Sequence, residues 1–172
     1  MKLSFYINFI LGLENKTLLN QEECFGIDNF DDAVLILDDI KDQSEIRDGK
    51  PCLYKEVGEE NAIKKAEEYK KNAYKTIESV IRKYHLEKIE EVRAKGILDL
   101  LWNDIQKGES IDLRLQNEPG VSKGSLIEYK EMIRLFTGGH IKWGFQLGLL
   151  LSNSYPVFRS DLAEIAESIG ML

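Results

Sequence analysis

Three aspartates are spaced closely enough in this sequence to hold a charged ligand together. Residues 33–51 read AVLILDDIKDQSEIRDGKP, and Asp38, Asp39 and Asp42 come directly after five apolar residues. Positions four apart share a helix face, so Asp38 and Asp42 point the same way, with Asp39 beside them. The resulting repulsion would be offset by a hard divalent cation such as Mg²⁺, which prefers carboxylate oxygens.

A basic side chain follows this acidic cluster. Arg47, about one turn beyond Asp42, would bind a phosphate group with its planar guanidinium if a cation occupied the carboxylates. The spacing alone also fits a solvated acidic helix surface, because DDxxD is a weak signal by itself. Metal binding and a plain surface patch are therefore both open on the residues alone.

The bulk composition is that of one globular domain. The chain has 172 residues, 43% of them hydrophobic and 31% charged. Its net charge of -7 argues against nucleic acid as the main partner, since phosphate backbones are bound by basic faces. The two cysteines, Cys24 and Cys52, lack metal-ligand spacing, and their scarcity predicts a cytoplasmic protein. No segment is apolar for long enough to span a bilayer.

Apolar residues recur at helical spacing almost throughout, which predicts an all-α bundle of five or six helices. The predicted helices cover approximately residues 1–20, 28–45, 59–83, 86–106, 126–151 and 159–170. No strand-like alternation persists anywhere in the chain. The acidic cluster would then lie in the last part of the second helix.

Other residues give weaker signals. Asp31 and Asp32 lie two turns before the cluster and would enlarge its acidic patch, without standing opposite it. His85 and His140 have no ligand spacing and are predicted to be structural or surface residues. The glycine pair at 138–139 lies inside a predicted helix, which indicates close packing or a kink near a ligand cavity.

Taken whole, DDIKDQSEIRDGKP resembles DDxxDxSxxRRGxP, the first aspartate-rich motif of the trans-isoprenyl diphosphate synthases. KGESIDL, residues 107–113, resembles the GQxxD segment of that family. EYKEMIRLFTGGHIKWGFQLGLLLS resembles its YxxMxxxKTGGL helix and is closest to the geranylgeranyl branch. LAEIAESIGML resembles the helix that leads into the second aspartate-rich motif. The matches keep the family order from about Phe25 to Leu172.

This resemblance implies an isoprenoid-synthase-type helical bundle and a reaction. The family condenses isopentenyl diphosphate with an allylic diphosphate, losing diphosphate and a proton, to make a linear isoprenoid diphosphate. Asp38, Asp39 and Asp42 would coordinate the Mg²⁺ ions that hold the allylic diphosphate. Arg47 would bind diphosphate as well. Members of the family commonly dimerise, so the resemblance predicts a homodimer or a hetero-oligomer with a related subunit.

The resemblance also implies a substrate cavity. Asp112, at the Asp of GQxxD, and Thr137, at the Thr of KTG, would line it. Ala33 and Val34 lie five and four places before Asp38, where the family receives the growing prenyl chain. Because both side chains are small, the resemblance predicts a pocket open to chains of geranylgeranyl length or longer, unless deeper residues close it.

The sequence departs from the family pattern at several positions. Asp48 replaces the second Arg of RRG, Phe136 replaces the Lys of KTG and Glu109 replaces the Gln of GQxxD. The expected organisation is a single partial domain over residues 1–172. Within it, residues 1–24 form a divergent N-terminal helix without the family's GGKRxRP segment. Residues 25–172 form a family-like core that ends before the second motif, FQxxDDxxD.

Three interpretations are therefore open at this point. The chain is an active prenyltransferase, or a non-catalytic homologue or subunit that binds prenyl diphosphate or a partner synthase, or a fragment of a longer synthase. A generic helical interaction domain is a fourth, less specific interpretation.

Overall fold

The computed structural model describes residues 2–117, 123–153, 165 and 168–169, and it is almost entirely helical. In chain order the elements are α1 (Leu3–Leu13), α2 (Gln21–Lys41), β1 (Ile46–Arg47), β2 (Lys50–Pro51), α3 (Leu53–Val57), α4 (Glu59–Lys83), α5 (Lys88–Asn117), α6 (Lys123–Ile133), a π-helical turn (Arg134–Gly138) and α7 (Gly139–Leu151). The predicted all-α class is confirmed, with a two-residue hairpin as an addition. The helix expected over residues 159–170 lies almost wholly outside the described residues.

The helix α2 begins earlier and ends earlier than the sequence predicts. Asn20 forms a capping box: its side chain accepts from the backbone N–H of Glu23 at 2.9 Å, and the Glu23 carboxylate accepts from the Asn20 N–H at 2.8 Å. These bonds satisfy donors that a helix start leaves unpaired, so α2 starts at Gln21 rather than near residue 28. The helix ends at Lys41, with Asp42 as its C-cap, and not at residue 45.

The first helix packs against the last through two glycines. A Cβ on Gly144 would lie 2.6 Å from the Cβ of Tyr6, and one on Gly148 would lie 2.7 Å from the Cβ of Ile10. Both distances are too short for any side chain, so the glycines allow α1 and α7 to approach closely. Tyr6 is thereby held against the middle of α7.

Carboxylates from α2 cap the N-terminus of α1. The backbone N–H of Leu3 donates to Asp31 Oδ2 at 2.8 Å, and that of Ser4 donates to Asp28 Oδ1 at 2.9 Å. Asp32 pairs with Lys2. Negative charge is favourable at a helix N-terminus, where N–H groups lack partners. The prediction that Asp31 and Asp32 enlarge the acidic patch is therefore wrong, because both side chains are engaged at the start of α1.

The hydrophobic core packs α2 on α4 and α1, and the same core includes residues of α5 and α7. Its largest fully buried members come from these helices and from α1, and include Ile7, Ile27, Phe30, Ile77, Leu98, Leu101 and Leu147. Each such side chain contributes about 1.5–3 kcal/mol through removal from water. A second, smaller cluster of Ala33, Ile36, Ala62 and Ala66 joins the C-terminal half of α2 to α4. The core thus sets where the acidic end of α2 lies.

Two other helix boundaries also differ from the prediction. α5 continues to Asn117, well past residue 106. The predicted helix over residues 126–151 is interrupted by the π turn, which ends at the glycine pair. A π turn inserts an extra residue into the helical ladder and is often found beside functional sites.

Among the described residues, no helix combines the length and apolarity needed to cross a membrane.

Candidate active site

A tight hairpin follows α2 and returns the chain over the end of that helix. Arg47 pairs with Lys50 across the ladder, which leaves Asp48 and Gly49 as a two-residue loop. Both loop residues have positive φ, 53° for Asp48 and 77° for Gly49, as expected of a type I′ turn. Asp-Gly is a favoured pair for this turn, so Asp48 has a local conformational reason to replace the second Arg of the family motif.

The hairpin places Arg47 against two of the predicted ligands. Arg47 Nε lies 2.8 Å from Asp39 Oδ1, and its Nη2 lies 2.6 Å from the same oxygen and 3.3 Å from Asp38 Oδ2. Asp39 is buried, whereas the side chains of Arg47 and Asp38 are 36% and 39% exposed. The structure therefore brings Arg47, Asp38 and Asp39 together. Arg47 forms ion pairs with both carboxylates here.

The local charge around Asp38 is strongly negative in spite of Arg47. Burial is the first cause that raises the pKa of Asp38, and the nearby Asp42 carboxylate is the second. Arg47 acts in the opposite direction, while Glu109 and Asp39 raise the pKa further. Glu109 reaches this cluster from α5 and pairs with Lys41 on the last turn of α2. Four carboxylates from two helices thus share one region.

The same region is suited to a cation by donor type. Carboxylate oxygens are the ligands that Mg²⁺ prefers, and the C-terminal end of α2 adds partial negative charge from its unpaired carbonyl groups. Asp42 is exposed and Asp38 is half-exposed, so both can reach a metal ion. Over the described ranges, no three His, Cys, Asp or Glu side chains are grouped closely enough to hold a metal ion as they stand. Arg47 supplies the positive charge beside Asp38 and Asp39.

A cavity of about 470 Å³ lies beside the middle of α2. Its lining comes from α1, α2, the π turn and α7: Lys2, Tyr6, Asp31, Val34, Leu35, Phe136, Thr137 and His140. Two of the predicted pocket residues, Val34 and Thr137, are therefore brought together. Ala33 does not line this cavity, because it faces Ala62 and Ala66 in the smaller core cluster.

Asp112 lies on α5 and accepts a hydrogen bond from Gln116 Nε2 at 3.0 Å. It does not line the cavity that contains Thr137.

Phe136, at the family's lysine position, packs on Gly108, where an added Cβ would lie 2.9 Å from its ring. The aromatic side chain thus fills space between the π turn and α5. An apolar contact stands here in place of the charge of the family's lysine.

One polar pair in this cavity is not predicted by the sequence. Asp31 Oδ1 lies 2.8 Å from His140 Nε2, although the two residues are 109 positions apart. Helical periodicity places Asp31 on the same face of α2 as Val34, and this spacing is the sequence signal that could have located Asp31 in the cavity. The partner could not be read from the sequence because it depends on how α7 crosses α2.

Comparison with known proteins agrees with this architecture. The polyprenyl synthetase family matches residues 13–172, nearly the whole chain. The chain belongs to the polyprenyl synthetase family. The resemblance to trans-isoprenyl diphosphate synthases seen in the motifs is thereby confirmed.

Individual relatives of this polyprenyl synthetase domain are distant in sequence and longer. The chain is 25% identical over 137 residues to a geranylgeranyl diphosphate synthase of Methanosarcina mazei, covering 80% of this chain and 40% of that protein. A short chain isoprenyl diphosphate synthase of Methanocaldococcus jannaschii is 24% identical, with 39% of its length covered. The chain therefore spans about two fifths of the length of these curated relatives.

The fold is that of solved prenyl diphosphate synthases. A geranylgeranyl pyrophosphate synthase superposes with a TM-score of 0.82 at 17% identity, over 98% of this chain and 49% of that one. An FPP/GFPP synthase from Zymomonas mobilis has a TM-score of 0.81 at 19% identity, over 98% of this chain and 61% of the other. The isoprenoid-synthase-type bundle expected from the motifs is confirmed.

Proposed function

We propose that this polyprenyl synthetase domain condenses isopentenyl diphosphate with an allylic diphosphate to make a linear isoprenoid diphosphate. The observation that supports the proposal most is the meeting of Asp38, Asp39 and Arg47 at the end of α2. Val34, one helical turn before Asp38, lines a cavity beside α2 together with Thr137. A diphosphate-binding end and a pocket for an apolar tail are the two parts that such a substrate requires.

The carboxylates would bind the allylic diphosphate through a divalent cation. Asp38 and Asp42 have the exposure to serve as ligands, and Asp39 is the buried member that orients the site. Mg²⁺, when bound, would supply positive charge against the departing diphosphate. The pKa of Asp38 is raised first by burial and then by the neighbouring Asp42, and a bound cation would favour the charged form of Asp38.

Arg47 would change partner as the substrate binds. In its present position it pairs with Asp39 and Asp38 through two nitrogens of the guanidinium. The same fork suits two diphosphate oxygens, because the guanidinium is planar and always charged. With a cation on the carboxylates, Arg47 would be free to pair with the diphosphate.

The wall of the cavity would shield the allylic group after its diphosphate departs. Val34, Leu35 and Phe136 present apolar surface, and Thr137 adds one hydroxyl close to that surface. Exclusion of water matters because a carbocation captured by water gives an alcohol in place of the longer diphosphate. Asp112, at the position of the Asp of GQxxD, is proposed to contact substrate from α5, outside this cavity.

Chain length, metal requirement and assembly belong to the same proposal. We expect Mg²⁺ as the cofactor. We also expect products of geranylgeranyl length or longer, because the small side chain of Val34 lines the cavity. Assembly as a homodimer, or with a related subunit, and a cytoplasmic location stay predictions. So does the division into residues 1–24 and 25–172. Light scattering on the purified chain measures the assembly state directly.

The deciding experiment combines turnover with binding. The purified chain receives Mg²⁺, isopentenyl diphosphate and geranyl or farnesyl diphosphate, and products are identified by mass spectrometry. Calorimetry with the allylic diphosphate is run with Mg²⁺ and with EDTA. We expect longer products and Mg²⁺-dependent binding, both abolished by Asp38→Asn. Glu67→Gln is the matched control, since it removes one negative charge from an exposed position on α4.

The outcomes separate the two functional interpretations. Mg²⁺-dependent binding without any longer product would support the non-catalytic homologue or subunit in place of the enzyme. Equal binding by the wild type and Asp38→Asn would count against both, because neither explains binding that ignores the carboxylates.

A further inference from the structure

An ion pair between α2 and α5 lies next to the acidic end of α2. The ammonium of Lys41, on the last turn of α2, pairs with Glu109 Oε2 on α5, although the two residues are 68 positions apart. Lys41 comes three residues after Asp38 and one before Asp42. Because residues three or four apart share a helix face, the side of α2 that carries both aspartates is the side that Glu109 contacts.

The Glu109 carboxylate is enclosed but keeps bonding capacity. Its side chain is only 9% exposed. It accepts hydrogen bonds from the Lys41 ammonium and from Gln106 Nε2, the latter at 3.1 Å, and both bonds are made to Oε2. Within the described part of the chain, no hydrogen-bond donor is found for Oε1. Since a carboxylate accepts about four bonds, Glu109 has room for a further ligand.

Lys41 is a cation that can be exchanged for another. Its side chain is 50% exposed, so the ammonium can move into water while its stem stays on the protein. Ion pairs with one such half-exposed partner contribute little to stability, because contact is gained as hydration is lost. A divalent cation attracts the same carboxylate with twice the charge of an ammonium.

The charge and the sequence of this region favour the exchange. Its four carboxylates outnumber the two side chains that pair with them, Arg47 and Lys41, by two negative charges. Glu109 also replaces the Gln of the family's GQxxD segment, so an anionic oxygen of the kind that Mg²⁺ prefers stands in place of a neutral amide. The described residues hold no preformed group of three ligands, so the carboxylates must draw together around the ion as Lys41 leaves.

We propose that Glu109 is a further ligand for the divalent cation, supplied from α5, and that Lys41 occupies this carboxylate until the cation binds. This inference rests on the proposed function, which assigns the same cation to Asp38 and Asp42. The side of the site opposite α2 then comes from α5. The ammonium released from Glu109 stays on the last turn of α2, where it can pair with an oxygen of the bound diphosphate.

The test measures how the binding of geranyl diphosphate depends on Mg²⁺, without any turnover. Equilibrium dialysis with labelled geranyl diphosphate gives the free Mg²⁺ concentration at half-maximal binding. For Glu109→Gln this concentration should rise about tenfold or more, because one ligand of the cation is lost. For Lys41→Met it should fall, because no ammonium competes for the carboxylate. Urea denaturation confirms that each variant is folded.

Two further variants separate a ligand from a charge effect. Lys41→Met/Glu109→Gln has the net charge of the wild type, so it should bind as the wild type does if only charge matters. A ligand role predicts the raised Mg²⁺ concentration of Glu109→Gln instead. Glu109→Asp keeps the charge but is one methylene shorter, and it should also raise the concentration. Equal shifts in one direction for the two single variants would reveal a purely structural bridge and overturn the inference.

Controls at other positions separate this inference from the proposed function. Glu67→Gln removes an exposed charge from α4 and should leave the Mg²⁺ dependence unchanged. A charge-matched double variant that behaves like the wild type, while Asp38→Asn loses Mg²⁺-dependent binding, would overturn the inference and leave the proposed function standing. Wild-type binding of geranyl diphosphate that ignores Mg²⁺, or no binding at all, would instead overturn the proposed function.

Discussion

Arg47 pairs with Asp39 from the first strand of the hairpin, with Nε 2.8 Å and Nη2 2.6 Å from the same carboxylate oxygen. Asp39 is only 5% exposed, so it depends on this partner more than a surface carboxylate would. The contact joins the last turn of α2 to the segment that follows it. Both residues belong to the first aspartate-rich motif of the family.

Arg47→Ala should lower the free energy of unfolding by about 1 kcal/mol, because Asp39 then keeps a buried charge without its main partner. The estimate is modest since the Arg47 side chain is itself 36% exposed. Urea denaturation measures the change. Adding Asp39→Asn should recover part of the loss, because a neutral amide tolerates burial better. Strictly additive losses in the double variant would show that the pair does not couple.

Stability near the acidic cluster should fall as pH rises from acid toward neutral. The pKa of Asp38 is raised in the folded state, first by burial and then by Asp42, so the folded chain holds this proton more tightly than the unfolded chain. Protonation therefore stabilises the fold below the raised pKa, and the contribution is lost as pH increases through it.

Asp38→Asn isolates this effect. The variant should be more stable than the wild type at about pH 7 and lose that advantage near pH 4, where unperturbed Asp is itself protonated. Urea denaturation across this range in EDTA is the measurement. Glu67→Gln serves as the control for general loss of negative charge, and it should give no such pH-dependent difference. A constant offset for Asp38→Asn at every pH would contradict the assignment.

The hairpin turn should affect both stability and ligand binding. Gly49→Ala places a Cβ at φ 77° and should cost about 1 kcal/mol or more. It should also weaken allylic diphosphate binding several-fold, because Arg47 precedes the turn directly. Gly58→Ala is the matched control, since Gly58 has φ 84° but lies between α3 and α4. Loss of stability in both variants with equal binding would disconnect the turn from the site.

Replacing Phe136 with the lysine that the family has at this position should destabilise the fold. Phe136→Lys would remove an aromatic ring that packs on Gly108, and should lower the free energy of unfolding by about 1–3 kcal/mol. Gly108→Ala should destabilise the chain too, since its Cβ would lie 2.9 Å from the Phe136 ring.

Combining the two changes tests their contact directly. Gly108→Ala in the Phe136→Leu background should cost less than in the wild type, because the smaller side chain leaves room for the added methyl group. Thermal denaturation compares the four proteins. An equal cost of Gly108→Ala in both backgrounds would mean that the ring is not the obstacle.

Much of the fold could be predicted from the sequence because helices are local. The apolar spacing in residues 59–83 matches α4 to the residue, since one amphipathic face and its charged flanks specify that helix. The capping box at Asn20 and the Asp-Gly pair at residues 48–49 were also local signals, and both were missed. Without these two signals, the predicted α2 begins and ends too late in the sequence. The hairpin that places Arg47 against Asp39 is not predicted at all.

The helical class, the family and the candidate residues Asp38, Asp39 and Arg47 follow from the sequence alone, because each depends on residue type and spacing within a short segment. The partners of the polar and apolar side chains follow only from the packing of the helices. Asp31 caps α1 and pairs with His140, Glu109 joins the acidic cluster from α5, and Ala33 packs in the core. Such contacts join residues far apart in the chain, and they are set by how helices cross and pack, which no local spacing encodes.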